Sequence, residues 1–271
     1  MSQYTELEVS RKGRVAWITF NRPHRLNAFS DTLLRELDQA LEAERDSDSR
    51  VLVLRGAGRA FSAGFDVSSD AEEIAPGFDA VELRDRQAEH AERWLRIWDH
   101  PKPVIAAVHG YCMAGATQMC VFCDLTVVAE DAVIAASPAL PLGGGFISPM
   151  WSYLVGPKRA KQMSFVAGER ISGATAVDWG WANYAVPADE LTESVAELAA
   201  RIAMTPSSML RMKKLSNNRA MELQGFRTMA LMGAETNTVV HETEAVRGFQ
   251  GMIREHGLKE AIRRFEAGED R

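Results

Sequence analysis

Two of the three cysteines, Cys120 and Cys123, have the spacing of a metal-binding or redox-active pair. A zinc site would need a second pair of cysteine or histidine ligands, and the sequence offers none at a suitable spacing. Both cysteines lie in an apolar stretch that favours a buried helix, where cysteine behaves as a small hydrophobic side chain. We therefore expect reduced thiols that pack in the core, and no metal site.

Other side chains that could act as nucleophiles or general bases have no partner at a diagnostic spacing. They are His90, His109, Tyr111, Cys112, Ser137, Ser148 and His241. Carboxylates are missing from two long regions, because no Asp or Glu occurs between Asp99 and Asp124 or between Asp131 and Glu169. Acid–base catalysis by paired carboxylates would need such residues beside the reacting atoms. The sequence therefore assigns no nucleophile and no general base.

The elements that would hold these residues alternate between strands and helices in the first two thirds of the chain. Continuous apolar runs predict buried strands at Val15–Phe20, Val51–Leu54, Pro103–Val108 and Leu125–Ala129. Helical spacing predicts one helix that begins at Ser30 or Asp31 and two more at Ala80–Trp98 and Ala114–Phe122. The acid-rich stretch 68–78 is predicted to be a loop. This order is typical of an α/β core whose sheet is covered on both sides.

The last third of the chain is predicted to be helical. The candidate helices span Asp189–Met204, Pro206–Asn217, Met221–Val240 and Glu242–His256. A glycine-rich loop, Gly143–Trp151, is predicted ahead of them. We divide the chain into a core, residues 1–195, and a helical extension, residues 196–271, which we expect to make contacts between subunits.

Composition and charge limit the partners of this chain. Its 271 residues are 46% hydrophobic and 25% charged, which suits a globular protein that needs no disulfides. The net charge of −6 argues against a nucleic-acid surface, because phosphate binding needs concentrated Lys and Arg. No apolar run is long enough to span a membrane, and the first residues do not resemble a signal peptide. We therefore expect a cytoplasmic protein without a nucleic-acid or membrane partner.

Four stretches, in order, resemble the crotonase family, which is also called the enoyl-CoA hydratase/isomerase family. Residues 21–29 (NRPHRLNAF) resemble its first motif, and residues 58–67 (GRAFSAGFDV) resemble its second. Residues 102–111 (KPVIAAVHGY) resemble its third, and a segment of small residues, 114–116, stands where the family has three glycines. Residues 168–187, which end in GWANYAVP, resemble its fourth. Together they cover nearly the whole chain.

The resemblance implies a fold, a ligand and an assembly. The fold would be α/β, with a crotonase-like ββα spiral core and a C-terminal helical extension. The ligand would be an acyl-CoA thioester, so coenzyme A would enter as part of the substrate and no further cofactor or metal is expected. The family implies a lyase of fatty acid metabolism, and a homotrimer or a dimer of trimers.

The resemblance also implies functional residues. Two backbone N–H groups, those of Phe65 and Gly115, would stabilise negative charge on the thioester oxygen, and the helix dipole at Gly115 would add to this effect. Asp66 is expected to brace its loop, and Arg25 is a candidate for binding phosphate. The full set expected around coenzyme A is Arg25, Leu26, Ala28, Ser62, Ala63, Gly64, Asp66 and Val67.

The sequence departs from the family at both catalytic glutamates. Gln118 stands at the first position, and either Pro138 or Ala139 stands at the second. An amide does not accept a proton at neutral pH, although Gln118 could position a water. Each general acid or base contributes roughly 10²–10⁴ in rate, so we predict an atypical acyl-CoA enzyme and not a two-glutamate hydratase. Two alternatives stay open: an acyl-CoA-binding pseudoenzyme, and a crotonase-type hydrolase or decarboxylase.

Overall fold

The computed structural model describes residues 4–66, 79–136, 147–166 and 168–268. The described strands are β1 Leu7–Lys12, β2 Val15–Phe20, β3 Val51–Gly56, β4 Ala60–Ser62, β5 Val104–Val108, β6 Tyr111–Met113, β7 Leu125–Ala129, β8 Val133–Ala135, β9 Ile171–Ser172 and β10 Tyr184–Val186. They form a six-stranded sheet in the order β1-β2-β3-β5-β7-β10 and a four-stranded sheet in the order β4-β6-β8-β9. In the larger sheet every pair is parallel except β1 with β2.

The central strands of the larger sheet are apolar along their length because both of their faces are covered. All residues of β2 and β5 are buried, as are the first four of β3. Parallel strands enclosed in this way need no alternation of polar and apolar residues. The prediction of an α/β core with buried strands is therefore confirmed, and the strand predicted from Pro103 begins one residue later, at Val104.

Ten helices surround and extend the sheets in the described part of the chain. They are α1 Asp31–Arg45, α2 Ala80–Trp98, α3 Gly115–Phe122, α4 Ile147–Phe165, α5 Gly173–Trp179, α6 Leu191–Ala203, α7 Ser207–Leu223, α8 Phe226–His241, α9 Glu244–His256 and α10 Leu258–Ala267. Helix α2 has the predicted bounds, and Asp79 caps it by accepting a hydrogen bond from the Val81 N–H. Helix α4 is interrupted at Gly156, where φ is 78° and ψ is 163°.

One local prediction was wrong, and one helix was not predicted. The loop predicted at Gly143–Trp151 is helical from Ile147, because Met150 and Trp151 are fully buried against the core; residues 143–146 lie outside the described residues, as does the loop predicted at 68–78. Helix α10 follows Gly257 and was not predicted. The positive φ at Gly257 allows a turn between α9 and α10.

The C-terminal helices divide between two hydrophobic clusters. Helices α6 and α8 contribute buried residues to the main core, including Val195 and Phe226. Helices α9 and α10 form a small cluster of their own around Phe249, Ile253 and Ala261. Within the ranges given above, no helix is long and apolar enough to cross a membrane. The boundary at residue 195 and the trimeric assembly stay predictions.

Helix α7 is joined to the core by a buried lysine. Lys214 Nζ donates to the carbonyl oxygens of Ile97 (3.1 Å) and Lys102 (3.3 Å) and to Asp124 Oδ2 (2.7 Å). The Val104 N–H donates to the same carboxylate oxygen at 2.7 Å. Burial raises the pKa of Asp124, although the positive charge of Lys214 acts in the opposite direction. The positive charge of Lys214 therefore helps to keep the Asp124 carboxylate ionised.

Candidate active site

The segment that carries the first expected donor is held on both sides by backbone hydrogen bonds. The Phe29 N–H donates to the Gly64 carbonyl at 2.7 Å, and the Asp66 N–H donates to the Phe29 carbonyl at 3.1 Å. Gly64 has a φ of +88°, a conformation that residues with a side chain rarely adopt. The backbone around Phe65 is therefore fixed in a shape that requires glycine before it.

The second expected donor lies on an adjoining segment. A Cβ atom added to Gly64 would lie 3.0 Å from the nitrogen of Gly115 and 2.8 Å from the carbonyl oxygen of Met113. A Cβ atom added to Gly115 would lie 2.6 Å from two carbon atoms of the Phe65 ring. These distances leave no room for a side chain at either glycine. The structure therefore brings the Phe65 and Gly115 segments into direct contact.

The two N–H groups make no hydrogen bond within the described part of the chain. The N–H groups of Phe65 and Gly115 donate to no acceptor among the residues that the structure describes. Gly115 is the first residue of α3, and the N–H groups of a first helical turn have no acceptor within their own helix. The dipole of α3 adds positive potential at the Gly115 N–H, and a pair of such donors is suited to binding a negatively charged oxygen.

A glutamine and a tryptophan lie beside these donors. Gln118 is three residues after Gly115 on α3, so the two lie on the same face of the helix. The Nε1 of Trp94, on α2, donates to Gln118 Oε1 at 3.4 Å. Trp94 also contacts the Phe65 ring, with 6.1 Å between the ring centroids. The Gln118 amide is therefore held next to the site by a fully buried indole.

A histidine from α2 packs against the same phenylalanine. The rings of His90 and Phe65 are 4.5 Å apart between centroids. Burial, followed by the positive charges of Arg93 and Arg86, lowers the pKa of His90 to about 3. The imidazole is therefore neutral at pH 7 and is a poor proton acceptor there. His90 and Trp94 are one helical turn apart, so the sequence indicates that they share a face of α2, and the structure shows that this face contacts Phe65.

An arginine braces the two segments that carry Phe65 and the expected coenzyme A contacts. Arg22 Nη1 donates to the Ala28 carbonyl at 2.6 Å and to Asp66 Oδ2 at 3.0 Å. Arg22 Nε pairs with Glu6 Oε1 at 2.9 Å. The side chains of Arg22 and Asp66 are only 12% and 11% exposed, so solvent screens this pair weakly. Sequence reasoning did not find Arg22, because its partner is 44 residues away.

We expect Arg22→Gln to lower kcat for an acyl-CoA substrate roughly tenfold to a hundredfold, because the Phe65 segment would lose its brace and its N–H would move. Steady-state kinetics with a thermal unfolding curve for each variant would test this. The matched control is Arg45→Gln, which removes an exposed ion pair with Glu42. Equal kcat values for the two folded variants would contradict a positioning role for Arg22.

Backbone hydrogen bonds join the first motif to residues 62–64, where most of the other residues expected around coenzyme A lie. The Ala63 N–H donates to the Leu26 carbonyl at 2.9 Å, and the Ser62 hydroxyl accepts from the Gly64 N–H at 3.1 Å. Arg25 is exposed at the end of a short 3-10 turn. The structure thus places Leu26 and Ala28 beside residues 62–64, while Val67 lies outside the described residues.

One further residue supports this region and was not singled out from the sequence. Asn27 is fully buried with a φ of 54°, and its Nδ2 donates to the carbonyl oxygens of Ala57 and Ala60, both at 2.8 Å. Its Oδ1 accepts the Arg22 N–H at 2.9 Å. The side chain therefore ties the first motif to the second.

His109 and the three cysteines lie outside the two donor segments, and several other candidates lie outside the described residues. His109 Nε2 lies 2.9 Å from the Gly58 carbonyl oxygen, outside the two donor segments. Cys112, Cys120 and Cys123 are buried free thiols, and burial raises the pKa of Cys120 and Cys123. Positions Pro138 and Ala139, together with Ser137 and the side chain of Ser148, lie outside the described residues.

Comparison with known proteins gives a consistent set of relatives. The family model for enoyl-CoA hydratase/isomerase matches residues 10–256. A candidate enoyl-CoA hydratase, EchA13, of Mycobacterium tuberculosis is 35% identical over 83% of this chain and 76% of its own length. A hydroxycinnamoyl-CoA hydratase-lyase of Pseudomonas fluorescens is 31% identical over 82% of this chain and 81% of its own length. The crystal structure of a candidate enoyl-CoA hydratase/isomerase from Novosphingobium aromaticivorans has a TM-score of 0.89 and 40% identity, covering 95% of this chain and 94% of that one.

Proposed function

This chain belongs to the enoyl-CoA hydratase/isomerase family, and we propose that it processes an acyl-CoA thioester by stabilising negative charge on the thioester oxygen. The N–H groups of Phe65 and Gly115 would hold this oxygen in an enolate or a tetrahedral oxyanion. One observation carries the proposal: the two N–H groups lie on contacting segments and have no acceptor among the described residues. Coenzyme A is part of the substrate, and no further cofactor or metal is proposed.

The two N–H donors are held in place by the fold. Fixed N–H groups stabilise developing charge without having to reorient, and removing one such donor costs about 2.7–4 kcal/mol of barrier. The dipole of α3 adds to the donor at Gly115. Glycine at positions 64 and 115 keeps side chains out of the space between the two segments. The site therefore suits any acyl transfer or enolisation that places charge on the thioester oxygen.

The acid–base groups set this protein apart from a two-glutamate hydratase. Among the described residues beside the donors, Asp66 is paired with Arg22, Gln118 is an amide, and His90 is neutral at pH 7. The position of the second glutamate is occupied in the sequence by Pro138 or Ala139. We therefore propose an atypical enzyme of hydratase type, a lyase of fatty acid metabolism that does not add water through paired glutamates.

A second candidate function is a non-catalytic acyl-CoA-binding protein, and the replacement of the first glutamate by Gln118 favours it. A crotonase-type hydrolase or decarboxylase is a third, because the same two N–H groups serve a tetrahedral oxyanion or an enolate equally well. A homotrimer or dimer of trimers, and a cytoplasmic location, complete the proposal. Arg25, Leu26, Ala28, Ser62, Ala63, Gly64, Asp66 and Val67 are proposed to contact coenzyme A.

A panel of acyl-CoA thioesters tests the proposal directly. Saturated, 2-enoyl, 3-enoyl, malonyl-type and aromatic thioesters would be incubated with the protein and followed by mass spectrometry, with affinities measured by calorimetry. Chromatography of the two enoyl isomers would detect a double-bond shift that leaves the mass unchanged. We expect binding of the thioesters and conversion of at least one member of the panel.

The product, or the lack of one, distinguishes the candidate functions. Gain of water by a 2-enoyl thioester would mean that hydration proceeds without the paired glutamates. Loss of carbon dioxide or release of free coenzyme A would support decarboxylation or hydrolysis. Binding without conversion would favour the non-catalytic function, and failure to bind any thioester would overturn the proposal.

A further inference from the structure

Helix α7 buries little apolar surface. Within this helix, which the structure describes in full, the buried residues are Leu210, Lys214 and Asn218, and two of these three are polar. Met209 and Met212 are exposed. Elements with few buried apolar contacts open locally at a low free-energy cost. The position of α7 on the core therefore depends strongly on its polar contacts.

Most of these polar contacts go to one short segment, residues 97–102, which we call the 97–102 turn. Lys214 Nζ donates to two of its carbonyl oxygens, at 3.1 Å and 3.3 Å, besides its pairing with Asp124. Asn218 Nδ2 donates to a third carbonyl oxygen, that of Trp98, at 2.8 Å. The shape of the 97–102 turn therefore decides whether α7 finds its hydrogen-bond acceptors.

The turn is held by a histidine, His100, which is 2% exposed. Its Nε2 lies 3.1 Å from the carbonyl oxygen of Leu41 on α1, and its Nδ1 lies 3.2 Å from the backbone nitrogen of Lys102. Because a carbonyl oxygen only accepts, Nε2 carries the proton and Nδ1 accepts from the Lys102 N–H. The neutral imidazole thus joins α1 to the turn with both ring nitrogens in use.

We propose that His100 makes the attachment of α7 sensitive to acid, because protonation of Nδ1 removes the acceptor of the Lys102 N–H and releases α7 from the 97–102 turn. A protonated Nδ1 would donate to the Lys102 carbonyl oxygen, 3.3 Å away, which is the oxygen that Lys214 Nζ also uses. The imidazolium and the Lys214 ammonium would then repel each other across a shared acceptor. This inference does not depend on the proposed function, since it involves neither of the two backbone donors.

The surroundings of His100 oppose its protonation while α7 is attached. Burial, followed by the positive charge of Lys214, lowers the pKa of His100 to about 4, although the hydrogen bonds to Lys102 and Leu41 act in the opposite direction. The charged side chains on the elements packed around it are Glu44 and Arg45 on α1, Asp99 and Lys102 on its own segment, Lys214 on α7, and Asp124 after α3.

The direction of the pH effect follows from the pKa values of the attached and released forms. An exposed histidine has a pKa of about 6.5, so the released form binds a proton where the attached form does not, and the attachment weakens as the pH falls from about 6.5 towards 4. Asp124 acts in the opposite direction, because burial raises its pKa in the attached form. The pKa of Glu44 is lowered, so its effect falls mainly below the ordinary value of 4.5. A loss of attachment between pH 7 and pH 5 therefore identifies His100.

Hydrogen–deuterium exchange of the full chain at pH 7 and pH 5, corrected for the pH dependence of intrinsic exchange, tests this inference. We expect the α7 amides to exchange roughly 10- to 20-fold faster at pH 5, as a pKa near 4 in the attached form and about 6.5 in the released form implies. The amides of β5 should stay protected. His100→Gln keeps a donor for the Leu41 carbonyl and His100→Asn keeps an acceptor for the Lys102 N–H, but neither side chain titrates, so both variants should lose the increase.

The matched control is His24→Gln, which removes an exposed histidine and should keep the wild-type increase. Equal corrected exchange of α7 at the two pH values in the wild type would overturn the inference. An increase of the wild-type size in the folded His100 variants would overturn it as well. If exchange rose by the same factor and to the same rate in β5 as in α7, the whole protein would be unfolding, and release of α7 alone would be excluded.

Discussion

Replacing Gly115 by proline is expected to lower kcat for an acyl-CoA substrate by about 100- to 1,000-fold, which corresponds to the 2.7–4 kcal/mol lost when one oxyanion donor is removed. Proline has no N–H, and its fixed φ is compatible with the first position of a helix, so α3 should still form. The Phe65 N–H would remain, so the lost turnover measures one donor alone. Single-turnover kinetics on a converted thioester would give the value.

Steric conflict must be separated from the loss of the donor, because a Cβ atom at position 115 would lie 2.6 Å from carbon atoms of the Phe65 ring. The matched pair is Gly115→Pro/Phe65→Ala and Gly115→Ala/Phe65→Ala. Both variants remove the ring that would clash, and they differ chiefly in the N–H at position 115. A large difference in kcat between them supports the donor role, whereas equal kcat values in two folded proteins would refute it.

The second large effect is expected on stability, at the buried pair that joins α7 to the core. Lys214→Met should lower the free energy of unfolding by roughly 3–5 kcal/mol, because it leaves the partly buried Asp124 carboxylate, whose side chain is 18% exposed, without its counter-charge. The carbonyl oxygens of Ile97 and Lys102 would lose a donor in the same variant. Urea denaturation at pH 7 would measure the loss.

A second variant and a change of pH identify the cause. Asp124→Asn in the Lys214→Met background removes the unpaired charge and still accepts the Val104 N–H, so most of the loss should be recovered. Burial already raises the pKa of Asp124, and removing Lys214 raises it further. The penalty for the charged carboxylate is therefore present above that folded-state pKa and fades as the pH falls towards about 4, near the ordinary aspartate value. A pH-independent loss that the double variant fails to recover would exclude this explanation.

The sequence predicted the backbone of the site better than its side chains. Gly64 and Gly115 were identifiable from their places in the family motifs, and the structure adds that neither position has room for a Cβ atom. Helix α2 was predicted with correct bounds from its helical spacing. The meeting of Trp94 with Gln118 could not be predicted, since it depends on how α2 packs against α3. Helical spacing shows that His90 and Trp94 share a face, but not what that face contacts.

Polar pairs between residues far apart in the chain could not be predicted from the sequence either. Arg22 and Asp66 are 44 residues apart, and Lys214 and Asp124 are 90 residues apart, so neither pair leaves a local pattern. The partner of Asp124 became visible only when α7 was placed against the core. In the sequence alone, such charged residues cannot be distinguished from ordinary surface residues, because their partners are adjacent only in the folded protein.

The contact between Gly115 and the Phe65 ring also constrains how sequences with this site can diverge. A chain that gains alanine at position 115 must first, or at the same time, lose the large ring at position 65. A chain that already has a small residue at position 65 meets no such barrier. Substitutions at the two positions are therefore coupled in evolution, and the order in which they arise decides whether the intermediate protein still folds around both donors.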